Sequence, residues 1–304
     1  MRKRILLGLC FVALLCACLR PHRAKALTPL EPDRLCSLTL HYTQDGLGFE
    51  ALSVRIYRVA EAFPDGTFDL IEPYSAYPVN IHGITSQKEW QDVASTLRAY
   101  IAADQVEPTR VETTDAEGMV VFRELQTGLY FVHGVVAEKE SGTYRFNDFM
   151  IYLPTPMENE GFQYDVQAVP KCVQFTPNTH YSVVKLWKDT GNEQQRPQSV
   201  TVEIMKDGEV YETVVLSQEN QWSYRWTVPH DNSIWSVVEK DVPSGYKVSI
   251  SENATGFVIT NTKTTPTDPP DTGDVFPLGL CTAVLCISGL GLVLLGALRE
   301  RKRT

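Results

Sequence analysis

Between Tyr181 and Lys263 apolar side chains recur at every second position within a series of short runs, and no stretch in that region keeps a helical period. Val200, Val202 and Ile204 alternate with polar residues, and Val210 to Leu216 returns after Asp207-Gly208, a hairpin signal. Trp222, Tyr224 and Trp226 alternate, as do Trp235 with Val237 and Phe257 with Ile259. A period of two sends alternate side chains to opposite faces of a strand. Short strands joined by frequent turns predict an all-β sandwich of about 80 residues.

Three polar residues occupy inward phases of that pattern. Lys185 is in phase with Val183 and Trp187, Glu239 with Trp235 and Val237, and Asn261 with Phe257 and Ile259. Buried singly, each would be costly, whereas buried together they can satisfy one another. Burial also disfavours charge, lowering a lysine pKa and raising that of a carboxyl. A neutral amine is a nucleophile, so Lys185 could attack the Asn261 carboxamide while Glu239 moves the protons, leaving an isopeptide cross-link and free ammonia. An unreacted, hydrogen-bonded triad is the alternative.

The preceding segment, residues 35–172, reads as a second kind of sandwich. Leu38, Leu40 and Tyr42 alternate with Thr39 and His41, and Leu52, Val54 and Ile56 repeat the pattern. Ser86 with Glu89 forms a capping box ahead of Trp90, Val93, Leu97, Tyr100 and Ile101, which recur at helical spacing. Met119 to Phe122, Leu129 to Val132, Phe149 to Leu153 and Tyr164 to Val169 read as strands. The expectation is a β-sandwich carrying one inserted amphipathic helix. Its opening strand has His41 and no lysine, and His133-Gly134 follows Val132 where a carboxylate would be needed, so no cross-link is expected there.

Both ends of the chain read as targeting segments. Met1 to Ala26 has a basic start, an apolar run and the small-x-small pattern Ala24-Lys25-Ala26, the form of a secretory signal peptide. Residues 264–272 form a Pro/Thr-rich spacer that cannot pack. Within 269–304, Pro269-Pro270-Asp271-Thr272-Gly273 precedes an apolar run from Val275 to Leu298, long enough for a membrane helix, and a basic tail. The net charge of −9 would become more negative without these basic ends, which argues against nucleic acid or anionic lipid as a partner. Of seven cysteines only Cys36 and Cys172 lie outside the apolar ends. They flank the first sandwich, where a disulfide could tie its first and last strands; two free thiols are the alternative. No cofactor and no metal site are expected, and no Gly-x-Ser-x-Gly or carboxylate pair points to a hydrolase.

These motifs carry resemblances. Val-x-Lys-x-Trp-x-Asp (Val183 to Asp189), Arg196-Pro197-x-Ser-Val-x-Val, Leu216-Ser217 with Asn220-x-Trp222, Val-x-Glu-x-x-Val-Pro-x-Gly-Tyr (Val237 to Tyr246) and Ile259-Thr260-Asn261-Thr262 resemble the Cna B-type domain of Gram-positive adhesins and pilins. That resemblance implies two tandem Ig-like sandwiches, with Lys185 and Asn261 as the bonded pair and Glu239 as the catalytic acid. Residues 37–171 resemble the N-terminal domain of small pilin subunits. The C-terminal segment is similar to a sortase sorting signal, with Pro269 standing where Leu is usual; a plain single-pass membrane protein is the other reading. Ala168-Val169-Pro170-Lys171 resembles the pilin motif whose lysine accepts the next subunit, although Val169 and Cys172 replace its usual Tyr and Asn, and Lys171 can equally be a surface lysine ending a strand. The expected protein is thus a non-enzymatic, wall-anchored minor or basal pilin subunit. Its partners would be sortase, peptidoglycan and other pilin subunits, with the membrane touched only through the sorting helix. A host-matrix or glycan-binding adhesin of the same build is the alternative.

Overall fold

The computed structural model describes residues 30–63, 67–157, 161–174, 176, 179–229, 232–253 and 256–264. The predicted signal peptide, the sorting motif Pro269–Gly273 and the apolar span lie outside the described residues. No helix among the described residues is long and apolar enough to cross a membrane.

Among the described residues the architecture is β, with one α-helix. In the first module a three-stranded sheet places Cys36–His41 between Asp165–Ala168 and Met119–Leu125. It faces a larger sheet in which Gly128–Val132 lies between Phe149–Leu153 and Ser53–Ala62, with Phe68–Leu70 and Arg110–Thr113 also on the latter. Leu38, Leu40, Val54, Ile56, Phe122, Tyr130 and Val132 close the core between them. The other face of the larger sheet is covered as well. Tyr57, Val59, Leu129 and Phe131, one residue out of phase, pack against Val93, Ala94, Leu97 and Ile101 of the helix Gln87–Ala103. Every residue of Gly128–Val132 is consequently buried, where a sheet with one wet face would alternate.

The helix starts where the Ser86/Glu89 pattern predicts. The Glu89 N–H donates to Ser86 Oγ at 3.2 Å, and the Ser86 N–H donates back to Glu89 Oε2 at 2.9 Å. The Thr113-Thr114-Asp115-Ala116-Glu117-Gly118 segment is a turn built on side chains. Thr114 Oγ1 accepts from the Leu52 N–H and donates to Phe49 O, while Asp115 Oδ1 accepts from the N–H groups of Glu117 and Met119. Gly118 sits at φ +78°, and a Cβ there would meet Tyr42 O at 2.3 Å, so only glycine fits.

Two readings of this module change. Val135–Lys139 and Gly142–Phe146 are strands, and together with Cys172–Gln174 they make a further sheet. The closing strand beside Cys36–His41 is Asp165–Ala168, and Cys172 belongs to the next strand, paired with Phe146. Cys36 and Cys172 touch the same core but sit on strands that are not neighbours, and both are free thiols. Burial raises the Cys36 thiol to about 11.

The second module is a seven-stranded sandwich. One sheet runs Ser223–Thr227, His180–Lys188, Gly256–Lys263, Tyr246–Asn253; the other runs Glu209–Ser217, Ser199–Lys206, Trp235–Lys240. Trp222 precedes its strand in a left-handed conformation (φ 56°) instead of extending the Tyr224/Trp226 alternation. The first and last strands are parallel neighbours, paired from Ser182–Gly256 to Lys188–Thr262. The two modules pack on each other through the helix: Ala99, Tyr100 and Ala103 join the core formed by Val183, Val202, Ile204, Val248 and Ile259.

Candidate functional site

The register fixes where the three phase-breaking residues meet. In the parallel pair Lys185 lies opposite Ile259, and Trp187 lies opposite Asn261, so Lys185 and Asn261 are diagonal neighbours on the inward face of one sheet. Glu239 comes from the facing sheet, opposite Val202 on the strand Ser199–Lys206. All three lie in the core, with exposures of 2%, 1% and 0% for Lys185, Glu239 and Asn261.

Asn261 Nδ2 donates to Glu239 Oε1 at 2.8 Å. The other carboxyl oxygen, Glu239 Oε2, is 3.7 Å from Lys185 Nζ and makes no hydrogen bond, and Asn261 Oδ1 also lacks a partner. Lys185 Nζ donates to Leu186 O at 2.9 Å and lies 4.0 Å from the centre of the Trp187 ring. Two buried polar atoms without a hydrogen bond are an energetic cost at this site.

The electrostatics shift both partners toward their neutral forms. Burial pulls the Lys185 ammonium down to about 8, against the opposing pull of Glu239. Burial likewise raises the Glu239 carboxyl above its ordinary value, with Lys185 and the Asn261 hydrogen bond acting the other way. Moving one proton from amine to carboxylate turns a desolvated ion pair into a free amine facing an amide and a carboxyl able to donate.

A second shell holds the lysine's end of the site. Trp187 meets Trp222 and Tyr246 edge-on, with ring centres 5.5 and 5.3 Å apart. Asp189, two residues on, accepts from Arg196 Nε at 2.9 Å, from Arg196 Nη2 at 2.5 Å and from the Tyr246 hydroxyl at 2.9 Å. The Arg196 hydrogen bonds hold the Asp189 carboxyl below its usual range. Sequence reasoning quoted Asp189, Arg196 and Tyr246 without a role. Asp189 continues the inward phase of Val183, Lys185 and Trp187, which was the signal that it is buried and needs partners.

The other residues singled out from sequence are not brought to this cluster. Lys171 is exposed, and its carbonyl accepts from the Asn147 N–H at 3.0 Å. In the first module the paired opening and closing strands turn Leu38, Leu40 and Val166 inward, and among the described residues no lysine or asparagine faces that core. His133 is packed against Asp148 and Arg98 instead, and burial lowers its pKa. Among the described residues no group of three His, Cys, Asp or Glu side chains converges as a metal site.

The family comparison falls on the same module. The family model for the Cna protein B-type domain matches residues 181–262. The collagen adhesin of Staphylococcus aureus is 27% identical over 126 residues, covering 39% of this chain and 11% of that protein, so the chain spans only a small part of this relative's length. Among solved structures, a single B repeat unit of the collagen-binding surface protein of Staphylococcus aureus aligns at 17% identity and a TM-score of 0.27, covering 76% of this chain and 100% of that one. The full-length major pilin SpaD of Corynebacterium diphtheriae aligns at 16% identity and a TM-score of 0.33, covering 77% and 65%. The match agrees with the five sequence blocks between Val183 and Thr262: residues 181–262 are a Cna protein B-type domain.

Proposed function

We propose that this chain is a structural protein of the Gram-positive cell surface, a minor or basal pilin subunit. In this reading an isopeptide bond between Lys185 Nζ and Asn261 Cγ locks its second module. The observation that carries the reading is the fully buried Lys185–Glu239–Asn261 cluster, with Lys185 on the module's first strand, Asn261 on its last and Glu239 on the facing sheet. Lys185, as the free amine, forms the new C–N bond to Asn261 Cγ. Glu239 donates toward the amide oxygen as the tetrahedral carbon forms, then relays the lysine proton to Nδ2. The Cγ–Nδ2 bond breaks as the oxygen returns its proton to Glu239 and the carbonyl re-forms; ammonia leaves, so atoms and charge balance without oxidant or cofactor. The fold supplies the proximity that makes an unreactive amide a target.

Intact-mass spectrometry of the purified chain tests this reading. The expected mass is one ammonia below that of the sequence, and a mass equal to the sequence overturns it. The rest of the proposal is anchoring: sortase cleavage between Thr272 and Gly273, with Thr272 joined to peptidoglycan or to another pilin subunit. Muramidase should then release the protein from cells; recovery only in detergent, with its C-terminal tail intact, argues for a membrane protein. The relative named as a collagen adhesin favours a second reading, in which the first module binds a host matrix protein. Binding of the whole chain to immobilised matrix proteins or glycans separates the two.

A further inference from the structure

The sandwich of the second module has one side along which both sheets end. Tyr246–Asn253 is the edge of the four-stranded sheet, and Trp235–Lys240, which carries Glu239, is the edge of the other. The helix of the first module lies along both. The Ile250 N–H donates to Thr96 Oγ1 at 2.8 Å, and the Val248 N–H donates to Pro78 O at 2.7 Å, so outward donors of the edge strand are met by the first module. Ala99 is wholly buried in the second module's core. At the next residue, the Tyr100 hydroxyl donates to the backbone carbonyl of Glu239 at 3.1 Å, with its ring stacked on Tyr77 at 5.0 Å.

We infer that Tyr100 is a positioning residue for the Lys185–Asn261 bond, and that the first module must dock before the second can cross-link. This rests on the reading given under Proposed function. The Tyr100 hydroxyl pins the backbone of the residue whose carboxyl must reach both the amine and the amide. The helix around it closes the side from which water would otherwise reach Glu239. An open side would restore solvation to both groups, shift the balance toward the Lys185 ammonium and the Glu239 carboxylate, and lower the share of free amine able to attack. Docking therefore keeps the site dry and raises the share of the neutral pair that the chemistry needs.

The test follows ammonia loss over time after a pulse of cell-free synthesis of the full chain, by intact mass of denatured samples across a pH series. Tyr100→Phe keeps the ring and its packing and removes only the hydroxyl. It should slow bond formation about fivefold, the weight of one neutral hydrogen bond, with tryptophan fluorescence showing a folded chain. Adding Thr96→Val, which strands the Ile250 N–H, should slow it further by a similar factor. The pH at which the rate is half-maximal should also move, because a displaced Glu239 alters the proton balance with Lys185. A purely structural loss would scale the rate equally at every pH, and that result overturns the positioning role. A wild-type rate in both variants overturns the inference while leaving the cross-link standing. Absence of ammonia loss from the wild-type chain removes the cross-link and this inference together.

Discussion

Arg98 is the residue at which the junction between the modules is most open to a quantitative challenge. Its guanidinium donates to Asp148 Oδ2 at 2.8 Å within the first module and to Glu252 Oε2 at 2.6 Å on the edge strand of the second. Arg145 holds the other oxygen of Glu252 at 2.9 Å. Burial alone would lower the Arg98 pKa, but the two carboxylates outweigh it and raise it. Arg98→Met keeps the stem and removes the charge. Glu252 retains Arg145, so the main cost falls on Asp148, left with the Gly134 N–H at 2.7 Å. Breaking a buried pair from one side typically costs about 3–5 kcal/mol. The cost is held to the lower part of that range because Asp148 keeps the Gly134 N–H. A loss of about 3 to 4 kcal/mol at pH 7 is therefore expected, read by urea unfolding followed through tryptophan fluorescence. Asp148→Asn in the same chain should recover part of it. The loss should also shrink as pH falls below about 4. In the folded chain burial raises the Glu252 pKa, but Arg98 and Arg145 lower it further, so its contribution is present above the unfolded value of about 4.3 and fades as pH falls through the folded one. A destabilisation below about 1 kcal/mol, or one independent of pH, would mean that water screens the cluster and would refute the argument.

Glu239→Ala should leave the Asn261 amide intact, restore the full sequence mass and lower the melting temperature. Closing the chain between Lys185 and Asn261 is worth roughly 4.5 kcal/mol on the loop-entropy model, and an unchanged melting temperature would contradict it. Because burial holds the folded-state pKa of His133 below its unfolded value of about 6.5, its contribution is complete above that pH and declines as pH falls below it. His133→Gln should flatten that part of the stability profile, measured by thermal melts between pH 5 and 8 at fixed ionic strength. If Lys171 is the acceptor in a polymer, Lys171→Ala should abolish high-molecular-weight ladders in cell-wall extracts while leaving monomer in place, and persisting ladders exclude it.

The Lys185, Glu239 and Asn261 cluster was legible because a strand's period of two assigns each residue a face, and a charged or amide side chain in an apolar phase declares itself. Ser86 and Glu89 declared the helix start in the same way. The outer side of that helix was not legible. Thr96, Ala99 and Ala103 are small, so they carry little apolar signal, yet smallness is what lets a strand edge approach the helix. The placement of Cys172 failed for a different reason. Its closeness in sequence to Tyr164–Val169 suggested the same strand, but Pro170 has no N–H to continue a ladder, and the chain moves to Gly142–Phe146. Asp148 and Glu252 meet Arg98 from distant segments, and no local pattern reports such a meeting.

The parallel pairing of opening and closing strands has a mechanical consequence. When a module is pulled by its two ends, parallel terminal strands slide along each other, and their pairings share the load instead of opening one at a time. The second module offers seven such pairings, from Ser182–Gly256 to Lys188–Thr262, and the first offers four, from Ser37–Asp165 to Leu40–Ala168. A covalent tie between Lys185 and Asn261 would carry tension from one terminal strand directly to the other, sparing the residues between them. The first module has no such tie among its inward residues. With the Lys185–Asn261 tie formed, the first module would yield first under tension, and its extension would set how far the chain can lengthen before the load reaches a covalent bond.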